Sequence, residues 1–127
     1  MCDLLFMTTA AQALTGLVAL IHFYIWILEM FLWQTPLGMK AFRMNAQKAK
    51  DTAVLAANQG LYNMFLALGL CVSLALANPE QAFLFRAYFL ACVVAAGVYG
   101  ALSVSKRIFW IQAFPAALAL GLTIAVR

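Results

Sequence analysis

The chain has 127 residues, of which 67% are hydrophobic and 9% are charged, and its net charge is +4. A soluble domain contains about 25% charged residues, so this composition excludes an ordinary soluble domain and predicts a single integral membrane domain. The few basic residues follow a membrane topology and form no nucleic-acid-binding surface, so membrane lipid is the expected environment.

Four apolar stretches are long enough to cross the hydrocarbon core of a bilayer, which is about 30 Å thick and needs about 20 helical residues. They cover residues 8–33, 53–77, 83–104 and 108–126. The apolar runs are continuous, which excludes the alternating pattern of a β-barrel. Because the second and third connections are short, we predict an all-α, up-down antiparallel four-helix bundle.

Positive charges predict the orientation of this bundle. The first and third connections carry most of the basic residues: Lys40, Arg43, Lys48, Lys50, Lys106 and Arg107. The opposite side has Arg86 and Arg127. The positive-inside rule therefore places both basic connections in the cytoplasm and both termini outside, in a bacterial inner membrane.

The first connection, residues 34–52, has a pattern of its own. Pro36 and Gly38 are expected to end the first helix. Beyond them, apolar residues recur at helical spacing and basic residues fall on another face. This pattern predicts a short basic amphipathic helix on the inner membrane surface. Two interpretations remain open: a membrane anchor, or a site for an anionic headgroup or cofactor.

The first span places most of its polar residues on one face. One series recurs at every seventh position: Thr8, Thr15, His22 and Glu29. A second series, four residues further on, shares that face: Gln12, Ala19, Trp26 and Trp33. An ordered polar stripe is expected to face the bundle, a partner protomer or a wet cavity, because exposure of these groups to lipid is costly.

Counting inward from the cytoplasmic ends predicts a polar layer in the inner leaflet to which all four spans contribute. Its members are Glu29, Asn58, Gln59, Tyr62, Asn63, Tyr99 and Gln112. The count matches Asn63 with His22, and the residues that it matches with Glu29 are Asn58, Gln59 and Gln112. A direct pair between His22 and Glu29 is excluded, because seven residues separate them by roughly 10 Å along the helix.

These side chains support three hypotheses. In the first, a small lipophilic molecule binds in the membrane and undergoes lipid isomerase or cyclase chemistry, with Glu29 as acid, base or counter-ion and His22 as proton relay. The expected ligand-binding residues are Trp26, Trp33, Asn58, Gln59, Tyr62, Asn63, Tyr99 and Gln112. The second is a proton-coupled exporter of hydrophobic cations, with Trp26 and Tyr62 covering the cation. The third is a structural or accessory membrane protein whose polar network sets helix register.

Small residues and a proline mark the last two spans. Ala96, Gly97, Gly100 and Ala101 form small-xxx-small pairs, which predict close packing within the bundle or in a homodimer. Pro115 should kink the fourth helix. The chain has one histidine and none of the common cofactor-binding motifs, so we expect no metal site and no cofactor.

Two segments carry a resemblance to a known family. They are LVALIHFYIWILEMFLW in the first span and NQGLYNMFLALGL in the second. With them, nearly the whole chain resembles the domain-of-unknown-function family numbered 1304, which comprises small four-span membrane proteins. The resemblance implies the same fold and no particular activity.

Overall fold

The computed structural model describes residues 2–127, with side chains from residue 3 onward. Its elements are α1 (Cys2–Met30), α2 (Pro36–Ala41), α3 (Ala46–Ala75), α4 (Pro79–Ser103), a π-helical turn (Phe109–Ala113) and α5 (Phe114–Ala125). The described residues contain no strand, so the predicted all-α class is confirmed.

Three of the described helices are long and apolar enough to cross a membrane. They are Asp3–Met30, Ala46–Ala75 and Pro79–Ser103. The apolar helix Phe109–Ala125 is shorter. Backbone hydrogen bonds are satisfied within each such helix, which is the condition for a segment that crosses lipid.

Capping residues explain where the helices begin. The Asn45 side chain accepts a hydrogen bond from the backbone N–H of Lys48 (2.8 Å) at the start of α3. At the start of α4, Asn78 accepts from the N–H groups of Glu80 and Gln81, and Pro79 occupies the first turn. An asparagine thus caps both helices, and a proline also marks the start of α4.

The connection at 34–52 differs from the predicted single short helix. Thr35 caps α2 and Pro36 lies in its first turn, so Pro36 begins a helix here instead of ending α1. Gly38 lies inside α2 and is buried. A left-handed residue, Arg43, follows (φ 51°), and the later part of the connection belongs to α3. Whether this connection lies on a membrane surface stays a prediction.

The described residues divide into two compact units. The first comprises the described residues up to Ile21 together with Leu66–Arg127, and the second is His22–Phe65. The first unit has an apolar core to which α1, α3, α4 and α5 all contribute: Val18, Ala19, Leu70, Leu90, Val93, Ala116 and Ala119. Three of these residues are alanines, so the helices of this unit pack closely.

Glycines allow this close approach in the first unit. A Cβ atom on Gly97 would lie 2.6 Å from the backbone nitrogen of Ala113 and 2.9 Å from its Cβ. A Cβ on Gly100 would lie 3.0 Å from Ile108. These contacts pair residues in reverse order, so α4 and the segment after it are antiparallel. Gly97 and Gly100 therefore serve packing within the chain, and a homodimer through this helix face stays a prediction.

The turn before Pro115 has a wider backbone geometry than an α-helix. The backbone N–H of Phe114 bonds to the carbonyl oxygen of Phe109, five residues earlier. Proline has no N–H and cannot form the α-helical bond at position 115. The π-helical turn thus lies directly before the position where the backbone hydrogen bond is missing. Both features are common causes of helix bending.

The second unit joins the end of α1 to the start of α3. The indole N–H of Trp33 donates to the Thr52 hydroxyl (3.0 Å), and the Trp33 ring packs on Phe42 with centroids 4.6 Å apart. A Cβ on Gly38 would lie against the carbonyl oxygens of Leu32 and Trp33. This contact requires a residue without a side chain in α2.

Substitution of Gly97 by alanine should destabilise the protein, because the added methyl group would overlap the backbone of Ala113. Overpacking of this kind costs roughly 1–3 kcal/mol. The measurement is denaturant-induced unfolding of the purified protein in detergent micelles. Gly121→Ala is the matched control, since a Cβ there meets nothing within 4 Å. Equal stability of the two variants would contradict the packing described for Gly97.

Candidate functional site

Glu29 and Asn63 form a buried polar pair in the second unit. The Asn63 side-chain amide donates to Glu29 Oε2 at 2.7 Å and also contacts the Gln59 carbonyl oxygen at 3.3 Å. Glu29 is 8% exposed and Asn63 is 5% exposed. Among residues 2–127, no other hydrogen bond to the Glu29 carboxyl is present. One carboxyl oxygen therefore accepts a hydrogen bond from the amide, and the other has no hydrogen bond from the described residues.

Gly60 allows α1 to come close to α3 beside this pair. A Cβ at Gly60 would lie 3.1 Å from the Glu29 Cβ, 3.2 Å from the Met30 nitrogen and 3.2 Å from the Trp26 carbonyl oxygen. Gly60 and Asn63 are three residues apart, so they share one face of α3. The Gly60–Leu61–Tyr62–Asn63 segment thus supplies both the space and the hydrogen-bond donor for Glu29.

The depth count is wrong about the partner of Asn63. It matched Asn63 with His22, whereas the amide of Asn63 bonds to Glu29. Helical side chains lean toward the N-terminus of their own helix. In α3 this direction leads from Asn63 back toward Gln59, so the amide lies closer to the start of α3 than the Cα atom of Asn63 does.

The two tryptophans of the predicted site have different surroundings. The Trp26 indole N–H points to the Met30 sulfur (3.1 Å), and its ring lies near Phe23 and Phe31 at centroid distances of 6.2 and 5.6 Å. Trp26 therefore belongs to an aromatic group one turn from Glu29. The Trp33 N–H is satisfied by Thr52, which places Trp33 in the structural contact between α1 and α3.

The other predicted members of the second unit do not all face inward. His22 is buried, at 1% exposure, seven positions before Glu29 in α1. Asn58 and Gln59 are exposed. Tyr62 is also exposed and its ring lies near Phe65, with centroids 6.4 Å apart. Within this unit, the structure brings Asn63 to Glu29 and leaves three of the predicted ligand-binding side chains on the surface.

Two predicted site residues belong to the first unit. Tyr99 is exposed on α4, and its carbonyl oxygen accepts from the Ser103 hydroxyl at 2.7 Å. Gln112 lies in the π-helical turn and is partly buried. Their roles as ligand-binding residues stay predictions.

A cavity in the first unit was missed by sequence reasoning. Its volume is about 520 Å³, and its polar lining includes Gln12, Ser73, Arg86 and Thr123. From the sequence, Arg86 was interpreted only as one of the positive charges that predict membrane orientation. An arginine in the second turn of an apolar helix is itself a signal, because charged groups in such segments need a polar partner.

Comparison with known proteins places the chain in a family. Residues 16–124 match the family described as "Protein of unknown function (DUF1304)". The chain belongs to this family. An uncharacterised relative, YpaA from Lactococcus lactis subsp. lactis (strain IL1403), is 31% identical over 116 residues, which cover 90% of this chain and 96% of the relative. No solved structure matches the chain.

The match confirms the resemblance inferred from the first and second spans. Glu29 and the Gly60–Asn63 segment lie inside the matched region of this DUF1304 protein, as do Arg86 and Thr123. Neither the family description nor the relative supplies an activity, so the chemistry must be argued from the side chains.

Removal of the Asn63 amide should destabilise the protein, because Asn63→Ala leaves the buried Glu29 carboxyl without its hydrogen bond. Interhelical hydrogen bonds of this type contribute about 0.6–1.7 kcal/mol in membrane proteins. A double-mutant cycle with Glu29→Ala measures the coupling by unfolding in micelles. Asn58→Ala, an exposed asparagine of the same helix, should show no coupling to Glu29. A coupling energy near zero for Asn63 would contradict the pair.

Proposed function

We propose that this protein spans a bacterial inner membrane and binds a small lipophilic molecule at the Glu29 carboxyl group. The supporting observation is the one-sided environment of that carboxyl. Asn63 donates to Oε2, and no other described residue hydrogen-bonds to the group. A carboxyl anchored through one oxygen is oriented, while the second oxygen can bond to a polar group of a ligand.

The residues around Glu29 favour an apolar ligand. Trp26 lies one turn before Glu29 and contacts two phenylalanines, and Met30 follows directly. Small-molecule sites combine mostly apolar walls with a few placed polar groups. A molecule that is largely hydrocarbon with one hydroxyl, carbonyl or amine therefore suits Glu29 and Trp26 better than a polar solute does.

Acid–base isomerisation is the reaction class that this proposal includes. The neutral carboxyl would give its proton to one carbon of a carbon–carbon double bond, and the resulting carboxylate would take up a proton from the allylic carbon bonded to the other carbon of that double bond. The double bond moves, the composition of the molecule is unchanged and Glu29 returns to its starting state. His22, which lies in the same helix, retains its predicted role as a proton relay in this proposal.

Ligand retention tests the proposal. The protein is extracted from membranes directly into polymer-bounded lipid discs, and the lipophilic molecules that co-purify are quantified by mass spectrometry. Glu29→Gln preserves side-chain size but removes the ionisable group. A neutral hydrogen bond contributes about 0.5–1.5 kcal/mol, so retention of the specific molecule should fall by about two- to tenfold.

Asp51→Asn is the matched control, because Asp51 is an exposed carboxylate in α3 that lies outside both proposed sites. Equal retention by wild type and Glu29→Gln would reject the proposed ligand site. A folded Glu29→Gln variant with unchanged ligand content and unchanged cell phenotype would support the structural alternative. Glu29-dependent proton release from liposomes on addition of tetraphenylphosphonium would instead support the exporter.

The proposal includes an orientation with the basic connections in the cytoplasm and the termini outside, supported by the distribution of basic residues. In a cysteine-free background, Gln81→Cys should react with a membrane-impermeant maleimide on whole cells. Lys48→Cys should react only after the cells are opened. Both positions are exposed at helix starts, so accessibility within the protein is matched. Labelling of Lys48→Cys on intact cells would indicate the opposite orientation and contradict this part of the proposal.

A further inference from the structure

The cavity of the first unit lies where helix ends come together. Its lining comes from the beginning of α1, the end of α3, the beginning of α4 and the end of α5. The volume of about 520 Å³ is within the range of sites that bind small molecules, about 300–1,000 Å³. No residue of the Glu29 site lines this cavity. It is therefore a separate feature, and its function is independent of the function proposed for Glu29.

Arg86 supplies a buried cation to this cavity. The residue is only 9% exposed, and Nη2 donates to the Ser73 carbonyl oxygen over a long 3.4 Å. Its Nε is buried and has no hydrogen-bond partner. A guanidinium group has five N–H donors in a planar fork, so most of the donors of Arg86 are unused by the described residues.

Thr123 supplies a second unpartnered polar atom to the same cavity. It is 2% exposed, and its hydroxyl oxygen is buried without a hydrogen-bond partner. The Ser73 hydroxyl, by contrast, is already bonded to the Leu70 carbonyl oxygen at 2.6 Å. Buried polar atoms in native proteins are nearly always hydrogen-bonded. Arg86 Nε in α4 and Thr123 Oγ1 in α5 are therefore two unsatisfied hydrogen-bonding atoms in residues that line this cavity.

The charge of the lining favours an anion. Arg86 and Arg127 contribute two positive charges and Glu80 contributes one negative charge, a net charge of +1. The Arg127 guanidinium carbon lies 4.4 Å from the centroid of the Phe83 ring, which places a second cation at this cavity. Neither arginine forms an ion pair with a carboxylate side chain of residues 3–127.

We propose that this cavity binds the phosphate group of an anionic membrane lipid. The planar donor fork of arginine matches phosphate oxygens, and the Thr123 hydroxyl can donate to the same group. The remaining lining is largely apolar, with Leu74, Leu76, Phe83 and Val126. A molecule with a phosphate joined to hydrocarbon satisfies both parts of the lining, whereas free phosphate satisfies only the first.

The test uses nanodiscs that contain phosphatidylcholine with a minor fraction of phosphatidylglycerol. Native mass spectrometry of the released protein measures how much phosphatidylglycerol stays bound. Arg86→Gln should reduce bound phosphatidylglycerol by about tenfold, because a charge-assisted fork is lost. Thr123→Val, which keeps the side-chain shape, should reduce it by about threefold. Arg107→Gln removes an equal charge at an exposed position outside the cavity and should bind like wild type.

Two further measurements complete the design. Arg86→Lys retains the charge and loses the fork, so it provides a second comparison if Arg86→Gln fails to fold. Unchanged binding in both Arg86→Lys and Thr123→Val would overturn the proposal. Inorganic phosphate is added to protein in discs of pure phosphatidylcholine, and the unfolding temperature is recorded. An Arg86-dependent rise with free phosphate, without retention of phosphatidylglycerol, would overturn the lipid as the source of the phosphate.

Discussion

The helices of this protein approach one another most closely where side chains are small, and the rest of the structure depends on that constraint. In the first unit the core is rich in alanine, and Gly97 meets the backbone at Ala113. In the second unit Gly60 meets α1 at Trp26, Glu29 and Met30. Large apolar residues such as Phe6, Leu20 and Leu102 lie on the outside. This distribution is typical of helices surrounded by lipid, where packing and not water exclusion drives association.

Close backbone approach also determines what the polar side chains can do. At Gly60, α1 is near enough for the Glu29 carboxyl to accept a hydrogen bond from the Asn63 amide, so the two polar groups satisfy each other. The cavity beside Arg86 and Thr123 shows the opposite situation, because there the helix ends leave space and the polar atoms lack partners. The second unit thus contains a polar pair where helices are in close contact, and the first unit contains a polar cavity where helix ends are further apart.

The helices could be predicted from the sequence, because continuous apolar runs and an Asn–Pro boundary have direct physical consequences. The family was inferred from a resemblance that two segments of the first and second spans carry. The pairing of Asn63 with Glu29 could not be predicted from depth alone, since it depends on the direction in which helical side chains lean. Helix α3 begins at Ala46, before the apolar run that predicts the second span, because the Asn45 side chain caps it. The cavity around Arg86 was missed because its lining comes from four separate helix ends, which no local pattern brings together.

The π-helical turn at Phe109–Ala113 has a consequence for how this segment tolerates change in length. A π-turn contains one residue more than an α-turn covering the same rise, so every residue after it is rotated relative to those before it. Ala116, Ala119 and Thr123 are buried in this rotated frame. A chain shortened by one residue within the turn could keep the same inward face with ordinary α-geometry. Deletion of one residue here would therefore preserve the inward face of α5, whereas the same deletion between Pro115 and Thr123 would turn Thr123 away from its cavity.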